Sequence, residues 1–97
     1  MDYNLRWTEE SVRNLDEIIK DIRKKWSEKE VDNFRSMLKS KIEFILNNPF
    51  LYQASDYFPK MRKAVLNKKT TIFYQVDKDS IIIAYLHINK KDLNKLN

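Results

Sequence analysis

The 97-residue chain contains no cysteine and no glycine, and it has two prolines and one histidine. Without cysteine, disulfides, zinc–thiolate sites and thiol nucleophiles are excluded together. Without glycine, the phosphate-cradling loops of nucleotide-binding folds are excluded as well, because they need backbone conformations that glycine alone adopts freely. A single histidine cannot build a histidine metal site, so no metal and no cofactor are expected. The chain also lacks long apolar runs. The longest, IIIAYL at 81–86, falls far short of the roughly 18 residues of a membrane-spanning helix and reads as a buried strand. The opening MDYNLRWTEE has neither the basic head nor the apolar stretch of a signal peptide. These features lead to the expectation of one cytoplasmic domain over 1–97 with no membrane partner. The chemistry that remains is that of lysine, arginine, tyrosine, His87 and scattered carboxylates.

The net charge of +5 is unevenly placed. Residues 1–56 carry ten basic and eleven acidic side chains, and residues 77–97 carry four and three. The stretch YFPKMRKAVLNKKTTIFYQV at 57–76 carries five basic residues and no acid. A single-sign patch of this kind draws phosphates or acidic partners from a distance. An ordinary solvated strand edge and turn is the competing reading, since charges there also guard against edge-to-edge pairing.

Hydrophobic spacing organises the chain. Tyr3, Leu5 and Trp7 alternate with Asn4 and Arg6, the period of a half-buried strand. Thr8 has the chemistry of a helix N-cap, with Glu9 and Glu10 in the first turn. Val12, Leu15, Ile18, Ile19, Ile22 and Trp26 then give one apolar stripe, with Trp7 and Trp26 both read as structural. Ser27 and Glu30 form an S-x-x-E capping box for a second helix with the stripe Val31, Phe34, Leu38, Ile42, Ile45 and Leu46, ended by the proline of NNPF. The two form a helical hairpin. MRKAVLN, TTIFYQV and IIIAYLHI read as three further strands joined by the turns NKK and DKDS, the last strand apolar on both faces and therefore central. The order is β-α-α-β-β-β, an α+β fold with an antiparallel-rich sheet and the N-terminal helical hairpin on one face.

That order, on a basic chain of this length, resembles the RelE/ParE superfamily of toxins from type II toxin–antitoxin systems. The likeness rests on MRKAVLNKKTTIFYQVDKDSIIIAYLHINKKDLNKL, with a basic residue opening one strand, an aromatic-rich strand ending in Tyr-x-Val, a polar turn, an apolar strand and a basic tail. WTEESVRNLDEI is similar to the family's opening helix. The resemblance implies a toxin that inhibits growth, serves functions such as plasmid stabilisation and is neutralised by a cognate antitoxin protein. RelE-like members cut messenger RNA on the ribosome, and ParE-like members poison DNA gyrase.

The resemblance places Arg62 where RelE-like nucleases carry a basic residue, and Lys90 and Lys91 near their basic tail, so a nuclease here would use Arg62, His87 and Lys91. Two basic positions of those nucleases are occupied by Ala64 and Thr71, which favours the ParE-like branch and a binding role over catalysis. A degenerate member that binds only antitoxin is a further alternative. Lys60, Arg62, Lys63, Lys68, Lys69, Lys90 and Lys91 are the candidates for target or phosphate binding. Arg62 and Lys63, as neighbours on a strand, face opposite ways, and Arg62 is favoured by its family position. Tyr74, Ile72 and Val76 share a core face. Period-2 counting groups Tyr85 with Ile83 and His87, with core packing preferred for both Tyr85 and His87 over proton transfer. Phe50, Tyr52, Tyr57 and Phe58 cluster in a loop, either covering the end of the sheet or awaiting a partner.

Overall fold

The computed structural model describes residues 3–89. The elements are β1 (Asn4–Trp7), α1 (Glu9–Lys25), α2 (Glu28–Asn47), β2 (Arg62–Val65), β3 (Thr70–Asp77) and β4 (Ser80–Ile88), in the expected order. One sheet runs β1-β4-β3-β2, with β1 parallel to β4 and the other pairs antiparallel. β4 is central, as its two apolar faces require. The parallel β1–β4 pair follows from the connection, since the helical hairpin returns the chain to the same sheet as a crossover.

Local sequence accounts for both helices. The Thr8 side chain accepts the Ser11 N–H at 3.0 Å, capping α1. Ser27 accepts the Glu30 N–H at 3.3 Å and caps α2. Val31, Phe34, Leu38, Ile42 and Ile45 of α2 are buried with Ile18 and Ile19 of α1 against Ala64, Ile72, Tyr74, Ile81, Ile83 and Leu86 of the sheet. Two members of the expected α1 stripe leave it. Val12 lies at the margin of the stripe and is exposed, while Ser11 takes the inward place and donates its hydroxyl to the Thr8 carbonyl at 2.8 Å. Trp26 is 69% exposed. It is the C-cap of α1, with φ −126° and ψ −104°, and that departure from helical geometry swings the indole off the core side.

An irregularity in β4 decides which side chains face which way. Phe73 pairs with Tyr85 but Tyr74 pairs with Ile83, so Ala84 is an extra, bulged residue. The bulge keeps both Ile83 and Leu86 on the helix side, where both are buried. It turns Tyr85 and His87 to the opposite face, opposite Phe73 and Thr71. Simple alternation groups both Tyr85 and His87 with Ile83 and places them at the core, and the extra residue corrects both assignments, leaving His87 exposed. The backbone groups that β1 no longer reaches are taken up by α1. The Thr8 N–H donates to the Ile83 carbonyl at 3.2 Å. The Thr8 hydroxyl donates to the Ala84 carbonyl at 2.6 Å, and the Leu86 N–H donates to Asn14 Oδ1 at 3.0 Å.

A second buried polar contact fixes the other end of the helical hairpin. Tyr74 is fully buried, and its hydroxyl donates to the Pro49 carbonyl at 2.7 Å, tying the chain just after α2 to the middle of β3. The β3–β4 turn is the two residues Lys78 and Asp79, and Lys78 takes φ 56°. In a chain without glycine, a side chain must occupy this left-handed position, at a cost of roughly 1 kcal/mol.

Three outcomes are expected. Lys78→Gly raises stability in denaturant unfolding by about 1 kcal/mol, because the strain at the turn is removed. Thr8→Val, near in shape but without the hydroxyl, lowers it by about 2 kcal/mol through the lost cap and the unpaired Ala84 carbonyl, while Thr8→Ser stays near wild type. The third concerns Tyr74, whose phenol is pushed by burial from 10.0 up to about 12, with the nearby Arg62 charge opposing part of the rise. The folded state therefore keeps the proton that the unfolded state has lost between these values. Its contribution is fully present below pH 10 and disappears as pH climbs from 10 to 12. Tyr74→Phe should cost about 1 kcal/mol at neutral pH, and unfolding midpoints of the two proteins should converge over that alkaline window. A gap that stays constant to pH 12 contradicts the assignment.

Candidate functional site

With both helices on one side of the sheet, no described helix covers the other side, called here the open face, and the ladder pairings say what it carries. One row is Tyr85 on β4, Phe73 on β3 and Lys63 on β2; the next is His87, Thr71 and Val65. On the other side of the aromatic row lie Arg6 of β1, Ile82 and Gln75. Phe73 and Tyr85 stack with ring centroids 4.6 Å apart and 13° between their planes. His87 stands edge-on to Phe73 at 6.3 Å. The acid on this face among the described strand residues is Asp77, at the far end of the sheet beside the β3–β4 turn. The four ion pairs among the described residues, Arg13–Glu10, Lys20–Asp16, Arg23–Glu28 and Lys25–Asp21, all belong to the helices and leave the cations of the sheet without acid partners there.

The sequence-derived candidates divide between the two faces. Arg62 pairs with Tyr74 and so lies on the helix side, where it is half-buried. Its Nη1 donates to the Tyr52 carbonyl at 2.6 Å, and the guanidinium lies 5.1 Å from the centre of the Phe50 ring. Lys63 lies on the open face and is exposed. Arg62 and His87, two of the three residues a nuclease would use, are therefore on opposite faces of the sheet. Lys90 and Lys91, the third nuclease candidate among them, lie outside the described residues. Lys60 is exposed in the turn before β2.

Lys68 and Lys69 are exposed in the β2–β3 turn, beyond the His87 row. That turn has a fixed shape: Asn67 Oδ1 accepts the Lys69 and Thr70 N–H groups at 2.8 and 2.9 Å. The Asn89 N–H donates to the Lys69 carbonyl at 2.7 Å, so the end of β4 is tied to the same turn. Of the two positions where RelE-like nucleases carry a further basic residue, Ala64 is fully buried in the core, and Thr71, on the side of the sheet away from the helices, is buried as well. The aromatic loop splits as well. Tyr52 packs edge-on against Phe44 and Tyr74, at 6.2 and 6.4 Å, whereas Phe50, Tyr57 and Phe58 are exposed.

Sequence reasoning missed the Phe73–Tyr85 pair. Half of it was visible, since Phe73 alternates with Ile72 and Tyr74 and must face away from the core. Chemically, the open face offers two half-exposed π-systems, exposed ammonium and guanidinium groups, and an imidazole with no carboxylate partner among the described residues. That set is suited to holding a ligand with flat rings and negative charge.

The sequence matches the family model described as the ParE toxin of the type II toxin–antitoxin system, parDE, over residues 5–93. No curated protein matches the chain in sequence. Among solved structures, the chain is similar to the chromosomal ParDE toxin–antitoxin system of P. aeruginosa, with a TM-score of 0.76 at 16% identity over 89% of this chain and 95% of the other. It is also similar to the E. coli DinJ-YafQ toxin–antitoxin complex, with a TM-score of 0.62 at 9% identity over 92% and 94% of the two chains. A third likeness is to the toxin–antitoxin complex RelBE2 of Mycobacterium tuberculosis, with a TM-score of 0.61 at 12% identity over 91% and 99%. At these identities the structural likenesses speak to fold, and the family match over nearly the whole chain speaks to descent: this protein belongs to the ParE toxin family of type II toxin–antitoxin systems.

Proposed function

We propose that this toxin inhibits growth by binding a nucleic-acid-processing enzyme, DNA gyrase, and does not cleave messenger RNA. The observation that carries the reading is the placement of Arg62. A metal-independent ribonuclease must stabilise the phosphate and move protons at one place. Here Arg62 is on the helix side, engaged with Tyr52 and Phe50, while His87 is across the sheet. The ParE family match points the same way. Lys60, Lys63, Lys68 and Lys69 are the cations available for the target, and the acid-free stretch that holds them also suits an acidic antitoxin. The similar solved structures from E. coli and M. tuberculosis are complexes of a toxin with its antitoxin, which supports a cognate antitoxin as the neutralising partner. The site of action on this reading is the cytoplasm.

Two assays on the purified protein test the reading. The expected result is loss of gyrase supercoiling of relaxed plasmid, restored by the cognate antitoxin, with messenger RNA left intact on translating ribosomes. Ribosome-dependent cleavage that disappears in His87→Ala, with supercoiling unaffected, would establish the nuclease instead.

A further inference from the structure

The aromatic loop between α2 and β2 divides in two, and its first part is committed to the fold. Tyr52 turns in against Phe44 and Tyr74, and its carbonyl holds Arg62. Beyond it the chain runs beside the start of β2: the Lys63 N–H donates to the Gln53 carbonyl at 3.1 Å, and Ala54 bridges to Arg62. Residues 55–61 then stand out as a closed loop. The Ser55 N–H donates to the Met61 carbonyl at 2.6 Å across its neck. The hydroxyl oxygen of the buried Ser55 accepts the Tyr57 and Phe58 N–H groups at 3.3 and 3.4 Å. The Met61 N–H donates to the Phe58 carbonyl at 2.8 Å over Pro59 and Lys60, with proline where its fixed φ suits the turn.

This tied backbone holds two rings outward, Tyr57 at 86% exposure and Phe58 at 53%. Apolar side chains exposed singly are ordinary. Adjacent rings on a hydrogen-bonded loop are a preorganised knob, which gives up little conformational entropy when a partner covers it. The loop stands at the start of β2, an edge strand. β1, which follows residues 1–2, is the opposite edge, and Asn89, the last described residue, is tied to Lys69 in the turn at the far end of β2.

Convexity selects the partner. A knob is covered on all sides only by a hollow, and a hollow belongs to a folded protein. An isolated helix or extended segment is itself convex and needs a groove. Charge adds a second requirement. Asp56 and Lys60 within the loop balance, and Arg62 and Lys63 at its root leave it basic, so the complementary hollow has an acidic rim.

We propose that Tyr57 and Phe58 anchor the toxin in an apolar, acid-rimmed pocket of its target protein, apart from the surface that meets the antitoxin. The inference rests on the gyrase reading and names the residues that make that contact.

Labelled toxin titrated with DNA-free gyrase, alongside the supercoiling assay, tests it. Tyr57→Ser and Phe58→Ser should each weaken binding, and raise the concentration that half-inhibits supercoiling, by about tenfold or more, the loss expected of an aromatic anchor. Tyr57→Phe should retain both. Trp26→Ser, which removes an exposed ring at the end of α1, should change neither. The serine variants should keep the melting temperature of wild type and its affinity for the cognate antitoxin. Wild type that inhibits gyrase, with both serine variants equally potent, overturns the inference and leaves the gyrase reading standing. Wild type that neither binds nor inhibits gyrase removes both together. Antitoxin affinity lost in step with gyrase affinity overturns the inference in favour of an antitoxin-docking loop. Equal loss with Trp26→Ser overturns it in favour of unspecific apolar contact, and binding that appears only when DNA is added overturns it in favour of a nucleic-acid ligand.

Discussion

The single contact on which the most depends is the hydrogen bond from the Thr8 hydroxyl to the Ala84 carbonyl, at 2.6 Å. β1 pairs with β4 only as far as Ile83, and the chain then turns into α1. Beyond that point the edge of β4 would be bare, and an unpaired buried carbonyl costs about 1–3 kcal/mol. Thr8 resolves this while also capping α1, and Asn14, two turns on, receives the Leu86 N–H. The extra residue at Ala84 is thus held between the β3 ladder and the side chains of a helix. It shifts the facing of every residue after it, which is why Leu86 reaches the core and Tyr85 and His87 do not. The open face therefore takes its character from a threonine at a helix start 77 positions upstream of Tyr85 in sequence.

The helix side of the sheet shows the opposite economy, with groups that look functional committed to packing. Arg62 is held by a carbonyl and an aromatic ring, and Tyr74 by the Pro49 carbonyl. Both contacts go to the segment that follows α2, so together they fix the path of the chain from the helical hairpin into β2. To reach a phosphate on the open face, Arg62 would have to abandon the Tyr52 carbonyl and cross the sheet. A hydrogen bond from a charged donor contributes roughly 1.5–3 kcal/mol, and the stacked guanidinium adds to that. Among the described residues the adjacent, exposed Lys63 has neither contact, and a lysine carries its charge on a flexible stem that can meet a diffusible anion.

Much of this was legible in the residues. Helical spacing gave the α2 stripe residue by residue, Thr8 and Ser27 announced the helix starts, and NNPF announced the end of α2. The alternation of Ile72, Tyr74 and Val76 put Tyr74 in the core, where it is. What failed was any inference that needed a count to continue through an irregularity. Nothing in IIIAYLHI marks Ala84 as surplus, because an alanine fits a regular strand as well as a bulge, and the carbonyl that stabilises the bulge is answered from far away in sequence. Trp26 failed for a related reason. Its spacing continues the α1 stripe, but the helix ends one residue too early to hold it there. Arg62 versus Lys63 was left to a family position, and only the register against Tyr74 shows which of them faces the helices.

The same register underlies the proposal of a toxin that binds its target and does not cleave RNA. Proton transfer by a histidine is efficient when a second group fixes the ring and tautomer, as a carboxylate or carbonyl on the far nitrogen does. The carboxylates that form ion pairs among the described residues do so along the helices, on the other side of the sheet, and His87 instead has an aromatic ring beside it. An imidazole in that setting retains its hydrogen-bonding capacity and has no carboxylate beside it among the described residues. Stacked rings make no demand of that kind. They need only a rigid backbone beneath them, and the Phe73–Tyr85 pair sits on the two central strands of the sheet, immediately beside the bulge that Thr8 and Asn14 secure. The order of this surface is invested in holding flat rings in place, and Arg62, held by the Tyr52 carbonyl and the Phe50 ring, faces the other way.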